Sequence, residues 1–137
     1  MAFSGARLAA GRLAVGLTQE RLAQVIHTEQ TRVSEWERGV LTPRPELMPK
    51  LAAAIGLDAL EFLSADPASP SLEDMRLAAG LTMDEVAEKL GISRRRYRGV
   101  EIGATRRDPA DDVVENLARV FAVPATTVRQ AIEAARP

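Results

Sequence analysis

In the stretch "LTQERLAQVIHTEQTRVSEWERG", residues 17–39, the apolar positions Leu22, Ala23 and Ile26, then Val33 and Trp36, stand three and four residues apart. That spacing gathers each set on one face of a helix. Long β-branched alternating runs, the mark of strands, are missing from the chain. Ala and Leu, both strong helix formers, supply most of the apolar residues. The pattern predicts an all-helical protein.

The same pattern occurs twice. "LTMDEVAEKLGISRRRYRGVEIG" begins at residue 81 and lies in register with the first stretch. Leu17–Thr18 falls on Leu81–Thr82, Leu22–Ala23 on Val86–Ala87, Ile26 on Leu90, Val33 on Tyr97, Trp36 on Val100, Glu37 on Glu101 and Gly39 on Gly103. Upstream, Leu8 meets Leu72, Arg12 meets Arg76 and Gly16 meets Gly80. Beyond Gly103 the second copy is two residues longer, and the match resumes with Pro43 on Pro109 and Leu51–Ala52 on Leu117–Ala118. So many matches in register argue for duplication of one unit of roughly 60 residues. Two copies are too few for a solenoid, so the expectation is two small domains, residues 1–64 and 65–137. The boundary lies in "SADPASPS", residues 64–71, whose composition marks a linker.

Each unit predicts five short helices. In the first, one helix runs from about Ser4 to Val15 and stops at Gly16, and Thr18 caps a second that ends near His27. A third runs from Gln30 to Arg38 and stops at Gly39. Pro49 cannot sit deep in a helix, so the fourth starts late, near Met48, and a short fifth follows Asp58. In the second unit Ser71 and Asp74 have the spacing of a capping box, and Thr82 and Ser93 are N-caps. Asp108–Pro109 predicts an N-cap followed by proline at the first helical position. The last helix spans about Ala125 to Ala135.

Composition narrows the function. Hydrophobic residues make up 46 % of the chain and aromatics 4 %, so the core must be Leu, Ala and Val. There is no cysteine, which excludes disulfides and thiolate metal sites and fits a reducing cytosol. In "MAFSGARLAAGRLAVGL" Arg7 and Arg12 break the apolar run, so it predicts neither a signal core nor a membrane span. Net charge is −1, but it is segregated: Arg94, Arg95, Arg96, Arg98, Arg106 and Arg107 face Glu101 alone between residues 94 and 107, and Asp108, Asp111, Asp112 and Glu115 follow. A local patch of this kind matters more for an anionic partner than the sum does.

Residues 17–39 resemble the helix-turn-helix of the lambda-repressor/Cro (XRE) family, and each whole unit is similar to a domain of that family. The resemblance implies two tandem five-helix helix-turn-helix domains and a transcriptional regulator of double-stranded DNA, a prokaryotic or phage repressor in the cytoplasm. The recognition helices would be residues 30–38 and 94–102, in the major groove. Gln30 and Thr31, at the N-terminal end of the first, would meet base edges: glutamine can pair bidentately with adenine, and threonine can touch a thymine methyl. Arg32, Ser34 and Glu35 lie along the same helix. Thr18 and Gln19 stand at a helix N-terminus, where free N–H groups favour phosphate. Arg94, Arg95, Arg96 and Arg98 are the second unit's candidates, and Arg106 and Arg107 fall where family members touch the backbone. The resemblance further implies two structural ion pairs, Arg12 with Glu37 and Arg76 with Glu101. Several positions depart from the family pattern: Glu29 replaces the usual Ser or Thr cap, Glu35 places a negative charge on the reading face, Met83 replaces the phosphate-contacting Gln, and Gly99 interrupts the second recognition helix.

Other chemistry is thin. His27 is the only histidine and stands where a turn glycine is usual. Trp36 and Tyr97 occupy apolar helix positions and are expected in the core. Asp111, Asp112 and Glu115 lack a partner histidine or a phosphate loop, and carboxylates at a helix N-terminus are expected on dipole grounds. The expectation is no enzyme activity, no cofactor, no metal and no small-molecule ligand. Three arrangements stay open. One chain reads two unlike half-sites. In the second, only the first domain reads DNA and a homodimer forms through the C-terminal domain, whose last helix carries Val128, Ile132 and Ala135 at helical spacing. In the third, the protein is an adaptor or antitoxin that binds another protein.

Overall fold

The structure is a computed structural model that describes residues 3–137, so Met1 and Ala2, at the head of the N-terminal segment read above, lie outside it. Among the described residues it is all-helical. The first unit comprises α1 (Gly5–Ala14), α2 (Gln19–Val25), α3 (Gln30–Glu37), a 3-10 turn (Pro45–Leu47) leading into α4 (Met48–Ile55), and α5 (Leu60–Leu63). The second comprises α6 (Leu72–Ala78), α7 (Met83–Leu90), α8 (Arg94–Glu101), α9 (Asp111–Phe121) and α10 (Ala125–Ala135).

Short polar side chains start half of these α-helices by satisfying amides that no turn of helix precedes. Ser4 accepts from the Arg7 amide, Thr18 from that of Arg21 and Ser93 from that of Arg96. Ser71 with Asp74, and Thr82 with Glu85, form complete capping boxes. Glu29, at the start of α3, makes no such bond. Asp108 does not cap α9, contrary to the sequence reading. That helix begins at Asp111 behind Ala110, and the Asp108 carboxylate stands 2.6 Å from an Nη atom of Arg136 instead. A charge at the far end of α10 draws it away.

Each unit closes over its own core. Leu8, Leu22, Val33, Trp36, Met48, Leu51, Ile55 and Phe62 fill the first, and Leu72, Met75, Val86, Tyr97, Val114, Leu117 and Val128 the second. Val128 is 0 % and Ile132 5 % exposed. This corrects the expectation for the last helix: its apolar stripe is consumed against the second unit's own helices and is not a face for a second copy.

The units are joined by α6. Leu72 and Met75 enter the second core, while Leu77, 4 % exposed, belongs to the first, with Ala78 packed against it. Here α6 meets the 3-10 turn, α4 and α5. Gly80, at φ +77°, closes the junction: a Cβ there would stand 2.9 Å from Pro49 Cγ. The segment 64–71 is folded as well. Ser64 is buried, its hydroxyl donates to the Asp66 carbonyl, and Pro70 is buried too.

Candidate nucleic-acid interface

Both units are built on the same buried arginine. Arg12, on α1, donates from Nε to Glu37 Oε2 at 2.7 Å and from Nη2 to Oε1 at 2.9 Å. Its Nη1 donates to the Leu17 carbonyl at 2.8 Å. Arg76, on α6, repeats this: Nε to Glu101 Oε2 at 2.9 Å, Nη2 to Oε1 at 3.1 Å and Nη1 to the Leu81 carbonyl at 3.0 Å. Each pair ties the unit's first helix to the end of its third and to the turn before its second. Hydrogen bonding to Glu37 holds the Arg12 guanidinium above its usual pKa. For Arg76 burial works the other way, but hydrogen bonding to Glu101 and its negative charge outweigh it and the net shift is upward. A two-pronged pair of this kind fixes orientation as well as charge.

The consequence for the first unit is a chain of contacts from core to surface. Gln19, at the start of α2, donates from Nε2 to Glu37 Oε1 at 3.0 Å. Gln30, at the start of α3, reaches Gln19 Oε1 at 3.5 Å. Gln19 is thereby positioned by the buried Arg12–Glu37 pair, and the exposed Gln30 stands beside it. Thr31 and Arg32 are exposed beside it, and Ser34 and Glu35 are half-buried further along. Arg38 Nε donates to Ser34 Oγ at 3.2 Å. The Thr18 side chain, also exposed, caps α2.

The second unit lacks this chain. Met83 stands at the position of Gln19, and Tyr97 stands at that of Val33. Tyr97 is fully buried, with its hydroxyl against the Arg76–Glu101 pair. Burial, and then the negative charge of Glu101, push its pKa far up. On the opposite face of α8, Arg94, Arg95, Arg96 and Arg98 are all exposed. Arg94 Nε is 3.4 Å from Asp84 Oδ1 on α7, both in solvent, a pair worth little in water. Arg96, Arg106 and Arg107 line an open groove of about 510 Å³ with Thr105, Asp108 and Pro109.

The structure therefore gathers Thr18, Gln19, Gln30, Thr31, Arg32, Ser34 and Glu35 along the starts of α2 and α3 and the outer side of α3. It gathers Arg96, Arg106 and Arg107 around one groove, with Arg94, Arg95 and Arg98 on the outer side of α8. Two partners escaped the sequence reading. The Arg38–Ser34 contact spans one helical turn and was legible in principle, whereas Asp84 meets Arg94 only because α7 and α8 cross. Asp111, in the first turn of α9, pairs with Arg129 at 3.3 Å. Among the described residues, no group of His, Cys, Asp and Glu could hold a metal ion, and no helix is long and apolar enough to cross a membrane.

A family model described as helix-turn-helix matches the chain twice, over residues 8–62 and over residues 72–128. No curated protein and no solved structure gives a match.

Proposed function

The chain belongs to the helix-turn-helix family, in its lambda-repressor-like branch, through both halves, and we propose that it is a sequence-specific double-stranded DNA-binding transcriptional regulator, a prokaryotic or phage repressor, in which one chain carries two unlike readers. The observation that supports this most is the duplicated arginine–glutamate frame. It holds α3 and α8 in the same place in their units, each with its outer face free of the core.

On this reading the domains are residues 1–64 and 65–137. Gln30 and Thr31 meet base edges in the major groove, with Arg32, Ser34 and Glu35 beside them, Glu35 accepting from a cytosine amino group. Thr18 and Gln19 flank a phosphate. Arg94, Arg95, Arg96 and Arg98 approach the duplex from α8, and Arg106 and Arg107 hold the backbone. Their share of the affinity is electrostatic and falls with salt. A cytoplasmic address follows from the role.

Selection of bound sequences from random duplex DNA tests the reading. Enrichment of a site with two unlike halves is expected. A perfect palindrome would instead mean a homodimer reading through the first unit alone. No enrichment with folded protein would contradict DNA reading and favour a protein-binding adaptor or antitoxin.

A further inference from the structure

We infer that the two half-sites met by one chain run in the same sense along the duplex, as a direct repeat in geometry rather than an inverted one. The inference rests on the DNA-reading function proposed above and adds the arrangement of its substrate.

The contact between the units carries it. In a two-fold pair the contacts are reciprocal: if one patch of the first partner meets another patch of the second, the converse contact exists too. Here the 3-10 turn, α4 and α5 of the first unit meet α6 of the second. The counterpart of α6 in the first unit is α1, so a two-fold relation would set α1 against α9 and α10. Exposure shows that α1 is not so covered. Leu13, the counterpart of Leu77, is 64 % exposed, against 4 % for Leu77. The other side of the contact is equally one-sided. Pro49 and the Pro45 carbonyl stand against Gly80, just past the end of α6, whereas the counterparts of Pro45 and Pro49 in the second unit are the charged Asp111 and Glu115. The contact is head-to-tail.

The head-to-tail contact also lies beside the reading edge. Pro45 follows the loop that leaves α3, and Gly80 precedes Thr82, the cap of α7. A Cβ on Gly80 would be 2.9 Å from Pro49 Cγ and 3.4 Å from the Pro45 carbonyl oxygen. The approach to α7 in the second unit thus lies against the start of α4 in the first. Leu77 inside the first core and the folded segment 64–71 hold the second unit in place, so it is not free to turn about. A head-to-tail step carried along a helical duplex is a screw motion about the duplex axis, and the bases met by the two helices keep the same order. Inverted half-sites, by contrast, mirror a two-fold protein.

Unlike half-sites hide their relative orientation, so the test makes them alike. The full chain carrying Met83→Gln, Arg94→Gln, Arg95→Thr, Arg98→Ser and Gly99→Glu presents the residues of α3 on α8, with the glutamine that stands beside them in the first unit. The three arginines are exposed, and a Cβ at Gly99 has ordinary room, 3.6 Å from Thr105 Cγ2. Selection from random duplex DNA is run on this variant and on the unaltered chain. The expected site for the variant holds the first unit's half-site twice in the same direction. Reversing one copy in place should weaken binding at least about tenfold, the cost of one or two mismatched base pairs. An inverted pair overturns the inference while the DNA reading stands. No enrichment by the unaltered chain overturns the DNA reading itself, and the inference with it.

Discussion

Glu37 and Glu101 occupy the same place in their units and receive the same two-pronged arginine bond, yet their surroundings differ. Over Glu37 lies Gln19, which links the buried pair to Gln30 on the surface. At the corresponding place near Glu101 stands Met83, and the Tyr97 hydroxyl lies buried against Glu101 and Arg76. The first unit thus carries a polar path from its core, fixed as far as Gln19, to the start of α3. In the second the path stops inside, and the face of α8 is arginine in solvent. Fixed donors suit the reading of base edges, whose patterns demand geometry. Flexible arginines suit phosphate, which demands charge. Duplication kept the frame and left each surface free to specialise.

The largest effects should come from breaking the shared frame. Glu37→Ala and Glu101→Ala should each lower unfolding free energy by roughly 3–5 kcal/mol, since each leaves a buried arginine unpaired. Urea denaturation checks both. Next, Leu77→Ala should cost about 2–5 kcal/mol, as for a core leucine. Its counterpart Leu13→Ala should stay within about 0.5 kcal/mol, as a surface change. Equal losses at the two sites would contradict the one-sided contact.

Tyr97→Phe should change stability at neutral pH by no more than about 1.5 kcal/mol, because the buried hydroxyl it removes lies against the Arg76–Glu101 pair. The same variant separates the units by pH. Below the ordinary tyrosine pKa of 10.0 the proton is bound in both the folded and unfolded states, and this group contributes no slope. Above it the unfolded chain loses the proton and the folded chain keeps it, so stability falls by about 1.4 kcal/mol per pH unit. That alkaline loss should be absent from the Phe variant. The smallest effect concerns Ala122, at φ 54° where its counterpart Gly56 has φ 71°. Left-handed backbone costs a side-chain-bearing residue, so Ala122→Gly should raise stability by about 1 kcal/mol, seen as a higher Tm.

What the sequence disclosed follows the range of the interaction behind it. Helix starts at Ser4, Thr18, Ser71, Thr82 and Ser93 were legible because a cap bonds within three residues. The start of α9 was not, because the partner that claims Asp108 is Arg136, far along the chain. The stripe of α10 was seen correctly as apolar, but spacing says only that a face wants cover, not which helix covers it. Leu13 and Leu77 make the point most sharply. They are the same residue at the same place in the repeat, and only the neighbouring unit distinguishes solvent from core. Among the candidate contacts, the residues were readable on resemblance to the family. The link from Glu37 through Gln19 to Gln30 was not, since it needs α2 and α3 to cross.

The most direct measurement of the division of labour is the salt dependence of DNA affinity for two variants on the selected site. Arg94→Ala, Arg95→Ala and Arg96→Ala combined should flatten the slope of log K against log salt by about 0.9 for each phosphate that is no longer neutralised, with base preference in the first half-site intact. Gln30→Ala should leave the slope unchanged and relax preference at one base pair, by about 1–3 kcal/mol. An unchanged slope in the arginine variant, or a flattened one in the glutamine variant, would contradict the account.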